Sequence, residues 1–310
     1  MESIPFNPIL EYNSDTLLFI RKLYDLDKLE RMEEAITILR DWLKKQDHIV
    51  KKNYSSNYLE RVIIISKGSV ERAKAKLDKI ATFRTLLPQY FEPLNDLEKP
   101  LLNDLVTGIP SKMTPDHYRV IITNNKAKKI DGGLMDFYRY LIMIAEYMQC
   151  NDYLNGVEVI FDYREANLIE LIKALNLVEM QQVLAIVMEG YGMRIKGIHF
   201  ITTSKAIDTV VYLFKSALNK KVAERIHVHN NVDTLHKHIP KDILPSDYGG
   251  QAKSLLELSD DLKAELSSEN YLKHYKEMQK ACTNENYRRD DKFNEQCVGM
   301  PGSFRQLSVD

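Results

Sequence analysis

The chain has 310 residues, 44% of them hydrophobic, a formal net charge of −1 and three cysteines. That length and apolar content support a sizeable core in one large domain or two modest ones, and near-neutrality excludes nucleic-acid binding driven by global charge. Cys150, Cys282 and Cys297 are widely spaced with no CxxC pair, which argues against a disulfide framework or a cysteine zinc site and fits a reducing compartment.

MESIPFNPIL lacks a basic segment followed by an apolar one, so no secretory leader is expected. No run approaches the ~18 apolar residues of a membrane-spanning helix. Leu29, Met32, Ile36, Leu39 and Leu43 recur at helical spacing and predict an amphipathic helix over about 28–46. SVERAKAKLDKIATFR predicts a second, with Val70, Ala73, Leu77 and Ile80 on one face, ended by Pro88 and Pro93. From residue 118 the texture changes to short apolar runs, YRVIIT, GVEVIFD, RIKGIHFIT and ERIHVHN, separated by stretches of helical spacing. Strands joined by helical crossovers run parallel, so residues from about 105 to 250 predict an α/β layer. One more helical stretch is expected over about 252–281, followed by a polar tail.

The signatures of familiar chemistry are missing. GYGMRIKG is not GxGxxG and precedes a strand, and there is no GxxxxGK[ST], GxSxG or HExxH. His227, His229, His236 and His238 crowd into twelve residues, but no cysteine or carboxylate nearby in sequence completes a first ligand set, so no metal site is expected. Asp162, at the end of GVEVIFD, is read either as a ligand-facing residue at the strand end or as the cap of the next helix.

Between residues 194 and 225, Arg194, Lys196, Lys205, Lys215, Lys220, Lys221 and Arg225 oppose only Asp208 and Glu224, seven charges against two, a local excess of +5. Each such cation contributes about 1 kcal/mol near an anionic membrane surface. The same window holds AIDTVVYLFKSAL, whose apolar residues cover too much of a helix for one face, so the helix is buried on both sides or covers a cavity. Apolar helices beside a cationic rim suit a lipid carrier, because leaving ~18 methylenes in water costs roughly 14 kcal/mol at ~0.8 per methylene.

RIKGIHFITT, followed about two dozen residues later by ERIHVH and then by IPKDILPSDYGG, closely resembles the CRAL-TRIO lipid-binding domain family. Upstream, LRDWLKKQDHI and SVERAKAKLD resemble that family's N-terminal helical domain, and GSFRQLSVD resembles the ending of its insect members. The resemblance implies an all-α N-terminal domain over 1–98 and a C-terminal helix and tail over 256–310. Between them, over 99–255, it implies an α/β CRAL-TRIO domain: a mostly parallel sheet with helices, an enclosed hydrophobic pocket and a gate helix matching about 206–218. Pocket positions carried over are Phe161, Val183, Ile186, Val187, Tyr191, Ile198, Val210 and Leu213, with Phe214 on the same gate helix and Tyr140 and Ile144 on another wall. Arg194, Lys196, Lys221 and Arg225 match the basic phosphoinositide patch, while Ile64 stands where the patch has an arginine.

By the same resemblance the protein is a non-catalytic cytoplasmic carrier, transiently membrane-associated, with no catalytic residues, cofactor, metal or transmembrane segment. Its partners are one hydrophobic small molecule, a retinoid, tocopherol, carotenoid or similar lipid, and an anionic, phosphoinositide-bearing membrane; nucleic acid is not among them. The chain departs from the family around the ligand end of the sheet, at FDYREAN, Tyr191-Gly192 and Thr202–Ser204, so the identity of the ligand is not transferred. Those departures also motivate the alternative of a scaffold or regulatory interaction protein with a degenerate pocket.

Overall fold

Four helices open the chain: α1 (Thr16–Lys22), α2 (Leu29–Lys44), α3 (Ser56–Ile65) and α4 (Val70–Leu86). The structure is a computed structural model describing residues 4–288, so GSFRQLSVD and Cys297 lie outside the described residues. The serine hydroxyls of Ser55 and Ser69 accept from backbone N–H groups in the first turns of α3 and α4 and fix where each begins. Met32, Ile36, Leu39 and Leu43 bury one face of α2 as the spacing predicts, joined by Ala35, against Leu59, Ile63, Ala73 and Leu77 of α3 and α4, whereas Leu29, expected on that face, is 50% exposed at the first turn. Tyr153, Met278 and Ala281 from far along the chain complete this core.

The second unit follows in order: α5 (Pro100–Asp104), β1 (Leu105–Gly108), β2 (Tyr118–Asn125), α6 (Met135–Asn151) and β3 (Gly156–Asp162). Next come α7 (Leu168–Ala174), α8 (Leu177–Ala185) running on into a π-helical turn (Ile186–Gly190), β4 (Ile195–Ile201), α9 (Ile207–Ala217), α10 (Lys220–Ala223), β5 (Ile226–His229) and α11 (Val232–Leu235). The five strands lie in the order β1-β2-β3-β4-β5, with β1 antiparallel to β2 and the other pairs parallel, so the sheet is mixed.

Parallel neighbours joined in chain order, with right-handed crossovers, send α6, α7, α8 and α9 to one face. Strand alternation then separates two cores. Ile198 and Phe200 of β4 meet those helices, whereas Ile160 of β3 and Ile201 of β4 join Leu235, Ile239, Ile243 and Tyr248 on the other face.

The segment expected as one C-terminal helix is two, α12 (Leu255–Leu266) and α13 (Glu269–Met278), separated at Ser267-Ser268. Beyond α13 the backbone returns to the N-terminal unit: Val50 N donates to Cys282 O at 3.0 Å and Asn284 N to His48 O at 2.7 Å. Inside the sheet unit, Arg119 and Asp152 form a bidentate pair at 2.9 and 3.0 Å with both side chains fully buried, joining β2 to the end of α6.

Candidate functional site

Between the helical face of the sheet and α6–α9 lies a cavity of about 600 Å³, its mouth included. Its floor is aromatic. Phe161 stacks on Tyr163 and Phe200 with ring centres 6.0 and 5.6 Å apart, and Phe214 of α9 meets Phe161 and Phe200 edge-on at 5.6 and 5.1 Å. Helix α8 contributes Met180 and Val183, and α6 contributes Phe137, Tyr138 and Leu141. Of the polar lining, Thr123 bonds Thr107 at 3.0 Å and Asn125 Oδ1 accepts from Ala127 N at 2.9 Å. The Tyr138 hydroxyl is buried with no hydrogen-bond partner among the described residues.

Of the expected pocket residues, Phe161, Val183 and Phe214 face this cavity. Ile198, Val210, Ile186, Tyr140 and Ile144 are buried in the core around it, and Val187 and Leu213 pack half-buried against that core. Tyr191 turns toward the N-terminal unit, where its hydroxyl accepts from Arg84 Nη2 at 3.3 Å. Helix α9, expected from the resemblance as the gate, is less wrapped than its composition implies: Ile207, Val210 and Phe214 are buried, while Tyr212 stands 69% exposed. Tyr138 and Tyr163 were absent from the sequence-based pocket: α6 is buried around most of its circumference, so spacing alone does not tell which side meets a cavity, and Tyr163 lies one residue beyond β3.

The basic residues gather where β4 begins. The Arg194 guanidinium donates to Tyr24 Oη and lies over that ring, and its Nε and Nη2 are buried without partners among the described residues. Lys196 Nζ donates to Tyr118 Oη at 3.2 Å and sits 4.5 Å from the ring centre, and Arg225 donates to the Ile195 carbonyl. Burial, then the charges of Arg194 and Arg225, hold the Lys196 ammonium below its usual range. Lys221 is exposed on α10, in the turn before Arg225.

Sequence reading missed Lys76 of α4, which crosses from the N-terminal unit to cover Gly192, where a Cβ would lie 2.6 Å from its Cε. Burial is the largest influence on Lys76; Glu189 opposes it, Lys79 and Arg194 reinforce it, and the ammonium is brought down to about 8. Ile64 is 2% exposed in the N-terminal core, so its position is an interior one.

On the opposite sheet face His199 bridges Glu158 (Nε2 to Oε2, 3.2 Å) and His229 (Nδ1 to Nε2, 3.0 Å), and His227 and His238 pack beside them with ring centres 4.4 Å apart. Gly197 makes room, since a Cβ there would overlap Glu158 Oε2 and lie 2.6 Å from His199 Nε2. Burial, then His199, His238 and His227, lowers His229 to about 4. Among the described residues, no three donors of the His, Cys, Asp and Glu type come together as a metal ion requires. Asp162 neither faces a ligand nor caps a helix. It is fully buried, accepting from Arg164 Nη2 at 2.6 Å and Tyr248 Oη at 2.9 Å, and Asn167 caps the next helix.

A buried network joins the two units. Glu146 of α6 accepts from Arg84 Nη2 of α4 and pairs with His274 Nε2 of α13, both at 2.9 Å, and Cys150 Sγ lies 3.9 Å from His274 Nδ1. Burial pushes His274 down, but hydrogen bonds to Cys150 and Glu146, together with the Glu146 charge, overcome it and raise the imidazole to about 10.

The family model of the CRAL/TRIO domain matches residues 106–250, the span that holds the sheet, the cavity and α9. Residues 106–250 are a CRAL/TRIO domain. Ahead of it, residues 28–100 match the Pinta-like UBA domain, so α2–α4 form a separate helical domain before the CRAL/TRIO fold. Among curated proteins, alpha-tocopherol transfer protein-like of Mus musculus is 23% identical over 83% of this chain and 76% of its own length. Clavesin-2 of Homo sapiens is 26% identical over 71% and 68%, and clavesin-1 of Xenopus laevis 29% over 56% and 57%. A crystal structure of Sfh5 aligns with a TM-score of 0.46 at 12% identity, covering 80% of this chain and 92% of that one. Among the described residues, no single helix is long and apolar enough to cross a membrane.

Proposed function

We propose that the protein is a non-catalytic cytoplasmic carrier that holds one hydrophobic small molecule and exchanges it at phosphoinositide-bearing membranes. The observation that carries this reading is the aromatic-floored, almost wholly apolar cavity under α9, the lining expected of a site for a hydrophobic small molecule. Membership of residues 106–250 in the CRAL/TRIO domain, and relatives named for tocopherol transfer, support it. Tocopherols, retinoids and carotenoids are the ligand classes to try first.

The membrane half rests on Arg194, Lys196, Arg225 and the exposed Lys221, with Lys76 as a further cation. Protein purified without added lipid is expected to release one apolar compound on solvent extraction and to show the matching mass shift by native mass spectrometry. No copurifying compound, together with no binding of a retinoid, tocopherol, carotenoid or phospholipid, overturns the reading.

A further inference from the structure

We infer that Cys150 is a modification site: a nucleophilic thiol, served by His274, that hydroperoxides oxidise to a sulfenic acid. The site is separate from the cavity and does not rest on the carrier reading. Cys150 lies in the last turn of α6 and His274 on α13, with Sγ 3.9 Å from Nδ1. Nε2 of the same ring meets Glu146 Oε1 at 2.9 Å, and the rings of Tyr58 and Tyr271 flank it with centres 6.4 and 6.3 Å away. Thiol, imidazole and carboxylate therefore stand in sequence, the arrangement in which a third group orients the ring that serves a nucleophile.

The sequence runs from surface to interior. Glu146 is fully buried, the His274 side chain is 26% exposed and Cys150 is partly exposed, so the open end is that of the cysteine and the histidine. With the imidazole raised to about 10, both ring nitrogens carry protons at neutral pH, and Nε2–H donates to Glu146 and Nδ1–H to the sulfur. An imidazolium against a cysteine sulfur favours the thiolate, which is the nucleophilic form. The carboxylate charge that opposes it is engaged on its other oxygen by Arg84 Nη2 at 2.9 Å, and Arg61 donates to the Cys150 carbonyl. In the reaction the thiolate attacks the outer oxygen of the hydroperoxide; an S–O bond forms as the O–O bond breaks, and sulfur gives two electrons to the peroxide. The leaving oxygen takes the Nδ1 proton of His274 and departs as an alcohol, or as water when the oxidant is hydrogen peroxide, leaving a sulfenic acid beside a neutral ring.

Cys282 is the internal reference, since it is also partly exposed and its Sγ has no hydrogen-bond partner among the described residues. The test treats the full chain with hydrogen peroxide and dimedone, which traps sulfenic acids, and follows each cysteine-containing peptide by mass spectrometry. Proton transfer by a placed side chain is typically worth ~10²–10⁴-fold, and 3.9 Å is a loose contact, so Cys150 is expected to label roughly 10- to 100-fold faster than Cys282. In urea the two rates should converge. His274→Gln should bring the Cys150 rate down to that of Cys282 and leave Cys282 unchanged. Labelling of Cys150 no faster than Cys282 in the folded wild type, an advantage that survives in urea, or a folded His274→Gln protein that keeps the advantage overturns the inference. Should His274→Gln fail to fold, the wild-type comparison in buffer and in urea decides by itself.

Discussion

Replacing Phe214 by alanine tests whether α9 opens as a unit of its own. The ring is 9% exposed, forms the cavity wall and meets Phe161 and Phe200 edge-on at 5.6 and 5.1 Å. Phenylalanine-to-alanine changes in cores cost about 3–5 kcal/mol, and the low end applies because the ring already borders open space. Two aromatic pairs account for ~1–3 kcal/mol of that sum. If α9 separates from the body before global unfolding, a loss of about 3 kcal/mol raises exchange of its amides roughly 100-fold, since 1.4 kcal/mol is tenfold. Hydrogen–deuterium exchange with mass spectrometry on peptides spanning 206–218, beside peptides from β3 and β4, reads this directly. The expected result is faster exchange confined to α9, accompanied by faster transfer of bound lipid to acceptor vesicles. Equal acceleration in β3 and β4 would show that α9 opens only with the whole domain and would sink the gate reasoning.

Stability should form a plateau in pH to whose acid and basic limbs His229 and His274 contribute. The folded value of about 4 at His229 lies below the ordinary 6.5, so the unfolded chain binds more protons in that window and stability falls as pH drops from 6.5 toward 4. The folded value of about 10 at His274 lies above 6.5, so its contribution is complete below 6.5 and is lost as pH rises through 10. Urea unfolding across this range should show both limbs; His229→Gln should reduce the acid one, which His117, His227 and His238, also lowered by burial, share, and His274→Gln should reduce the basic one, which the buried tyrosines share. Asp152→Asn leaves the Arg119 charge buried beside a neutral amide and should cost about 3–5 kcal/mol, read as a lower urea midpoint. Pairing Arg119→Met with Asp152→Leu should recover only part of that, because the Glu11 and Ser111 carbonyls lose the donors Arg119 supplies. Charge reversal at Lys221 and Arg225 should weaken flotation with phosphoinositide-containing vesicles and leave lipid loading nearly intact; equal loss of both would argue against a separate headgroup patch.

Four strands were legible because YRVIIT, GVEVIFD, RIKGIHFIT and ERIHVHN are short apolar runs with helices between them, and they are β2 to β5. Strand β1 is four residues, LVTG, directly after a short helix, and leaves too brief a pattern to read. Phe161, Val183 and Phe214 were expected at the cavity through the family resemblance, not through periodicity, which left α9 apolar on more than one face. Tyr138 was not, because α6 is buried around most of its circumference and the face turned to the cavity is decided by packing against α3, α5, α12 and α13. Lys76 escaped for a different reason: it reaches Gly192 from another domain, a neighbourhood that no local window contains.

Strand order equal to chain order has a consequence for how such a chamber diversifies. Each wall of the cavity is one uninterrupted stretch of chain, α6 between β2 and β3, α7 and α8 between β3 and β4, and α9 between β4 and β5. Lengthening or recomposing one stretch reshapes a single wall and leaves the residues of the far face, from Ile160 to Tyr248, in their own separate core. A lineage can therefore retune what it carries one crossover at a time, without renegotiating the half of the sheet that keeps the domain folded.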